Sequence, residues 1–252
     1  MKVGRKIKEI IDHNRMESLS EMNEKRKFMI SLFYPIDEGW QEEDTSNYLN
    51  IFSPQINEAL KIFKQMGANE EHLWNLKSNF YNDAPIKKNN QVYPVILYSP
   101  GIGVDRDMYL FNINNLVLKG NIVITVGATY DTLFTIFPDE GMIYQSNVVE
   151  EMAGTDFESL KKLIDIRVED MSFLLDSLSV WNETDEFFRN KFDLDSVGVI
   201  GHSLGGAAVY ELAKKDARIK TGIMLDGSLH LISHKKSMDK PFLSIRQEKS
   251  KH

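Results

Sequence analysis

The chain has 252 residues, 42% hydrophobic and 27% charged, with 15 Gly and 7 Pro, a composition that supports a sizeable core and excludes a disordered or collagen-like chain. Its formal net charge is −7 and no Lys/Arg cluster forms a stripe for phosphates, which argues against nucleic acid as a partner. With no Cys there is no disulfide, no thiolate metal site and no cysteine nucleophile.

No apolar run approaches the ~18 to 20 residues that cross a bilayer, and Met1 to Lys6 leads into charged residues instead of an apolar signal core. A cytoplasmic location is expected for the chain as it stands. The first clear element is Phe28–Tyr34, an apolar run that predicts a strand closed by Pro35, which lacks a ladder donor. Residues 40–90 then read as a helical insertion. Ile56, Leu60, Phe63 and Met66 predict a helix over Pro54–Met66, and a second short helix is expected over Glu70–Phe80. The first of these is a core or lid element more than a membrane-docking one, because its polar face is not rich in Lys and Arg.

From Val92 short buried strands alternate with helices. A strand over Val95–Tyr98, a helix over Met108–Leu118 ended by Gly120 and a strand over Ile122–Val126 make one βαβ unit. Leu133, Phe134, Ile136 and Phe137 form an apolar loop segment, either an acyl pocket or lipid contact, or packing beneath the helix that follows. That helix, Glu158–Leu178, carries one apolar face, and its Arg167 and Asp170, three residues apart, read as a structural pair. Val197–Ile200, Thr221–Leu225 and Phe242–Ile245 are further strands, with a helix over Ala207–Lys215 between the first two. Alternation of this kind predicts a single α/β domain over 1–252, mostly parallel sheet with helices on both faces, whose active groups gather at the carboxyl ends of the strands.

Gly201-His202-Ser203-Leu204-Gly205 matches G-x-S-x-G, a pattern that arises by chance about 0.07 times in a chain of this composition. Its setting adds specificity, since a buried strand runs into it and a helix-forming run leads out. A serine on such a sharp strand-to-helix turn needs Gly201 and Gly205 to relieve crowding two residues either side, and Gly206 is expected to extend that space. The turn would present Ser203 as nucleophile and the Leu204 N–H, at a helix N-terminus, as an oxyanion donor. Ser99-Pro100-Gly101-Ile102-Gly103 follows an earlier strand in the place of the second donor, assigned to the Ile102 N–H. Asp226, just after Thr221–Leu225, fits the triad acid; an Asp opening a turn before Gly227 is the plainer alternative.

These motifs, with Tyr130-Asp131, Phe137-Pro138-Asp139 and Gly141 between them, resemble the platelet-activating factor acetylhydrolase family of α/β-hydrolases, over roughly Val92–Ile245 and more loosely Phe28–Pro35. The resemblance implies an α/β-hydrolase fold and calcium-independent hydrolysis of short or oxidised acyl esters of phospholipids. It implies Ser203 as nucleophile, Asp226 as acid and the Ile102 and Leu204 N–H groups as oxyanion hole, with no cofactor and no metal. Pro100 stands where some members have histidine, a change of small consequence for a backbone donor.

The general base departs from the pattern. The family's histidine follows the counterpart of Pro241–Ile245 after a further helix and strand, so a C-terminally truncated chain is expected, with that strand, helix and histidine region missing and an edge of the sheet left open. Of the six histidines, His13 and His72 are in the wrong part of the chain and His202 is inside the elbow. His230 and His234 would need an unusual loop, and His252 has the right order at a terminus, where surface solvation is the alternative. The base is left unassigned, with His252 as candidate. The sequence thus reads as a serine esterase acting on a small-molecule or lipid ester, with transient membrane-interface contact and no obligate protein partner. The alternatives are a non-catalytic, lipid-binding relative and a lipase or thioesterase of the same fold.

Overall fold

The computed structural model describes residues 2–37, 39–40, 47–153, 157–233 and 237–248. Ten strands are found among them: β1 Lys2–Met16, β2 Lys25–Ile36, β3 Phe80–Asn82, β4 Tyr93–Ser99, β5 Ile122–Val126, β6 Phe134–Phe137, β7 Gly141–Tyr144, β8 Phe192–His202, β9 Ile219–Leu225 and β10 Phe242–Ile245. The helices are α1 Ile56–Gln65, α2 Glu70–Asn75, α3 Leu110–Leu118, α4 Asn147–Ala153, α5 Phe157–Thr184 and α6 Leu204–Lys215, with short 3-10 turns at Tyr48–Phe52 and Leu229–Leu231.

Eight strands form one sheet in the order β10-β9-β8-β4-β5-β2-β1-β3. From β10 through β5 every pair is parallel, whereas β2 is antiparallel to both β5 and β1. Alternation along the strands sends Val95 and Leu97, Ile122 and Ile124, and Val197 and Val199 to one face, where α5 and α6 cover them. Tyr98, Val123 and Ile200 face the other way, toward α3 and the Tyr48–Phe52 and α1 segment. A mostly parallel sheet clad on both faces, with an antiparallel lead-in at one side, is the α/β-hydrolase fold. No helix of the described residues is long and apolar enough to cross a membrane.

Each strand and helix that the sequence predicts from Val95 onward is found, most with ends shifted by a few residues, whereas β6, β7 and α4 are not predicted. Gly120 ends α3 at φ +89°, with its N–H donating to the Val117 carbonyl at 2.9 Å. Elsewhere the structure departs from expectation. β2 does not close before Pro35 but runs through it to Ile36, because β1 pairs alongside and aligns Val3 with Pro35. β1 itself gives no apolar run, since its buried positions include Arg5 and Asp12. The helix expected over Glu70–Phe80 stops at Asn75, and Phe80 opens β3, a short edge strand parallel to β1. Leu133–Phe137 is not a loop under α5. Phe134 lies in the β6–β7 hairpin and packs edge-on to Phe52 and Phe63, at ring-centroid distances of 5.7 and 6.0 Å.

Buried charge ties the antiparallel lead-in to the loops at the carboxyl ends of the parallel strands. Arg5 of β1 donates to Asp107 Oδ2 at 2.6 Å, and that carboxylate also takes the hydroxyls of Ser31 and Thr125, each at 2.6 Å. Burial alone would raise the Asp107 carboxyl; the charges of Arg5 and Arg106 and these hydroxyl bonds outweigh it and hold it below its ordinary value of 3.8. Arg167 and Asp170 are not partners. Asp170 accepts instead from Arg26 and Arg15, at 2.7 and 2.6 Å, and Arg26 also reaches Glu17.

Replacing one member of a buried pair strands the other, so Asp107→Asn is expected to cost about 3–5 kcal/mol in urea unfolding at pH 7. Because the folded value is depressed, this contribution is present above the ordinary carboxylate range and is lost as pH falls through the folded value. The gap between the native chain and Asp107→Asn should therefore hold from pH 7 to 5 and narrow below pH ~4.

Candidate active site

Ser203 stands between β8 and α6 with φ 52° and ψ −120°, a left-handed conformation that a serine adopts only under compulsion. It occupies the helix N-cap yet its side chain makes no capping bond, so the hydroxyl is not spent on the first turn of α6. Two backbone bonds hold the position: the Ser203 N–H donates to the Leu225 carbonyl at 2.9 Å, and the Ser228 N–H donates to the Ser203 carbonyl at 3.4 Å.

Steric demand explains the flanking glycines. A Cβ on Gly201 would lie 2.2 Å from the Gly205 carbonyl oxygen, and one on Gly205 would lie 2.3 Å from that of Pro100. Both clashes are with backbone, which cannot step aside. Gly206 extends this close approach: its Cβ would meet Met224 Cγ at 2.9 Å and Gly227 Cα at 3.1 Å, so its small size lets α6 sit close to β9.

The strap Ser99–Gly103 crosses directly over this turn. A Cβ on Gly101 would fall 2.9 Å from His202 Nδ1 and 3.5 Å from Ser203 Cβ, which puts the strap in contact with the elbow. Its polar groups are used in turn. The Gly101 N–H donates to Tyr109 Oη at 3.1 Å, the Gly101 carbonyl accepts from Val104 N–H at 3.3 Å, and Gly103 N–H donates to the Asp131 carbonyl at 2.9 Å. Between them, the Ile102 N–H has no acceptor among the described residues, and the Leu204 N–H, first in α6, has none either. Two amides without a described acceptor, one beside Ser203 and one in the strap that meets it, are what an oxyanion hole requires.

Asp226 follows β9 and is exposed, with φ 46°. Its N–H donates to the Ile245 carbonyl at 2.7 Å, and its Oδ1 accepts weakly from Gln247 N–H at 3.4 Å. The strap thus meets the elbow at Gly101, next to Ile102, and Asp226 sits at the end of the neighbouring strand β9. No described histidine bonds to either Ser203 or Asp226. His202 Nδ1 shares a hydrogen bond with Tyr109 Oη at 2.9 Å; His13, His72 and His230 are exposed, the last in the turn after Asp226. His234 and His252 lie outside the described residues.

One participant escaped the sequence reading. Arg167, buried in α5, donates through Nε to Asp131 Oδ2 at 2.7 Å and through Nη1 to the Pro100 carbonyl of the strap. Burial, only partly offset by Arg167, holds the Asp131 carboxyl above the usual carboxylate range, and its Oδ1 is without a described partner. The signal was present in Tyr130-Asp131, but Asp170 offered a nearer partner in sequence.

Gly205→Ala or Gly201→Ala is expected to cost about 3 kcal/mol or more, a fall in Tm of roughly 6–12 °C. Gly198→Ala, also on β8, whose Cβ would meet nothing nearer than Thr221 Cγ2 at 3.5 Å, should shift stability by less than about 1 kcal/mol in the same thermal scans.

Comparison with known proteins bears on the fold and the family. The chain is 28% identical over 244 residues to a probable 1-alkyl-2-acetylglycerophosphocholine esterase of Arthroderma benhamiae, a match covering 90% of this chain and 57% of that protein. It is 30% identical over 158 residues to the platelet-activating factor acetylhydrolase of Cavia porcellus, over 55% of this chain and 36% of that one. The chain thus spans between about a third and little more than half the length of these curated relatives. Among solved structures, a ferulic acid esterase from Streptomyces cinnamoneus superposes with a TM-score of 0.76 at 21% identity, covering 97% of this chain and 65% of the other, which supports the fold. A sequence profile described as platelet-activating factor acetylhydrolase, isoform II, matches residues 14–132 and 157–252, and the chain belongs to that family.

Proposed function

We propose that the protein is a serine ester hydrolase that cleaves short acyl groups, acetyl foremost, from phospholipid-like esters. The observation that carries the reading is Ser203 held at φ 52° at the head of α6, its hydroxyl uncommitted and the free Ile102 and Leu204 N–H groups beside it. The substrate class is supported by the names of the relatives, a probable 1-alkyl-2-acetylglycerophosphocholine esterase and a platelet-activating factor acetylhydrolase.

In this reading Ser203 Oγ attacks the ester carbonyl while a histidine takes its proton. The negative charge that develops on the carbonyl oxygen is met by the two amides, which are already oriented and need no reorganisation. Collapse of the tetrahedral intermediate expels the alcohol, which receives the proton, and leaves an acyl-serine that water then hydrolyses by the same steps. Asp226 orients the imidazole. The histidine is to be sought among His230, His234 and His252 or in a longer chain. A lipid-interface contact belongs to the same proposal, supported by Met108 and Phe111, 38% and 82% exposed where the strap leads into α3.

Hydrolysis of p-nitrophenyl acetate, butyrate and octanoate by the native chain and Ser203→Ala tests the proposal. The serine variant should lose about 10³-fold or more of kcat, Asp226→Asn a comparable amount, and acetate should be preferred to octanoate. Alanine replacement of each of the three histidines should reproduce the serine defect at one position where that residue is the base, and at none where the base belongs to a longer chain. Equal turnover by native chain and Ser203→Ala would overturn the reading, as would tight binding of an acetylated phospholipid with no acyl release from either this chain or a longer one.

A further inference from the structure

An oxyanion donor on a glycine-containing loop works only if the loop cannot turn over, since a peptide flip would present a carbonyl in place of the N–H. In the strap the peptide between Pro100 and Gly101 is held at both ends. Its N–H donates to Tyr109 Oη at 3.1 Å, and its carbonyl accepts from Arg167, whose guanidinium is bonded on its other side to Asp131 at 2.7 Å. The same Asp131 takes the Gly103 N–H on its backbone carbonyl at 2.9 Å. One residue therefore anchors the strap twice, once directly and once through Arg167. The Ile102 amide lies between the two anchor points and is left free.

Arg167 is otherwise uncommitted. It is 3% exposed, its third nitrogen Nη2 has no described partner, and its only described polar contacts are the Asp131 carboxylate and the Pro100 carbonyl. That carbonyl is also the atom that a Cβ on Gly205 would strike, so the guanidinium presses the strap onto the very turn that carries Ser203. Burying an arginine for two hydrogen bonds is a poor device for stability, because desolvation offsets most of the gain.

We infer that Arg167 is a positioning residue for the oxyanion hole, a clamp that with Asp131 fixes the Pro100–Gly101 peptide and so aims the Ile102 N–H at the carbonyl carried by Ser203. The inference rests on the reading of Ser203 as nucleophile. Only a planar fork can bridge the two acceptors in fixed geometry, because a lysine at the same place would meet the carboxylate or the carbonyl as a point charge.

The test uses Arg167→Lys, which keeps a positive charge beside Asp131, and the double variant Arg167→Met/Asp131→Asn, which removes both charges of the pair together. Two readouts are taken. By residue-resolved amide exchange, the Gly101 and Gly103 N–H groups should exchange about 10-fold faster or more in both variants, while the amides of Val199 and Ile200 in β8 stay protected. With p-nitrophenyl acetate, kcat should fall about 10- to 100-fold with KM within about 3-fold, as expected for misplacement of a group that acts in the transition state. A merely structural arginine would lower stability and protection throughout, or leave kcat of the folded variant unchanged. Unchanged exchange at Gly101 and Gly103 in folded Arg167→Lys overturns the clamp, and so does faster exchange with unchanged kcat. If the native chain shows no turnover dependent on Ser203, the failure belongs to the functional reading, and the exchange data alone decide whether Arg167 holds the strap.

Discussion

The left-handed backbone of Ser203 is the constraint to which the surrounding structure answers. A non-glycine residue at φ 52° is costly, of order 1–3 kcal/mol, and persists only when its surroundings over-determine it. Here they do so from three sides. The adjacent strand β9 takes the Ser203 N–H on Leu225, the chain after Asp226 returns an N–H to its carbonyl, and Gly201 and Gly205 allow backbone to approach where any Cβ would collide. The strap then closes over the turn at a distance set by the missing Cβ atoms of Gly101 and Gly205. Close approach is what makes an amide of one loop available to a nucleophile of another.

Such crowding of backbone leaves few degrees of freedom, and the buried charges remove most of the rest. Three of the buried arginines each join an element distant in sequence to a loop at the strand ends, through a carboxylate or a carbonyl there. Arg5 of β1 reaches Asp107 after β4, Arg167 of α5 reaches Asp131 after β5, and Arg26 of β2 binds Asp170 of α5 while also touching the Thr129 carbonyl. Loops that must carry function cannot be stabilised by apolar packing alone, since their backbone groups need partners. Guanidinium groups supply several donors in a rigid plane and so can satisfy a carboxylate and a carbonyl together. In exchange for modest net stability they give a single geometry.

These facts also explain what could be read from the sequence. Strands β4 and β5 and the Val197–Ile200 stretch of β8 are buried or half-buried at every position, and their apolar runs announce them without knowledge of neighbours. The elbow is legible because its glycines are dictated by contacts within a few residues of Ser203. β1 is illegible for the opposite reason: it buries charge where an apolar run would announce a strand, Arg5 being satisfied by Asp107 far along the chain and Asp12 by Arg15 three residues on. β3 is three residues long and exists only because β1 offers an edge. The pairing of Arg167 failed in the same way. A spacing of three on a helix permits contact with Asp170 but does not compel it, and the buried Arg26 and the half-buried Arg15 compete for that carboxylate.

The two oxyanion donors illustrate how far local and long-range information differ in one site. Leu204 is available because it is the first amide of a helix, where no preceding carbonyl can reach it, and this follows from sequence once the elbow is recognised. Ile102 is available only because every competing use of its neighbours is already taken: Tyr109 occupies Gly101, Val104 the Gly101 carbonyl, Arg167 the Pro100 carbonyl and Asp131 the amide of Gly103. A loop left to itself would turn such an amide toward water or toward its own carbonyls. The donor is therefore a property of the whole ring of partners, drawn from β4, β5, α3 and α5, and its direction is as much a product of Asp131 and Arg167 as of the residue that bears the proton.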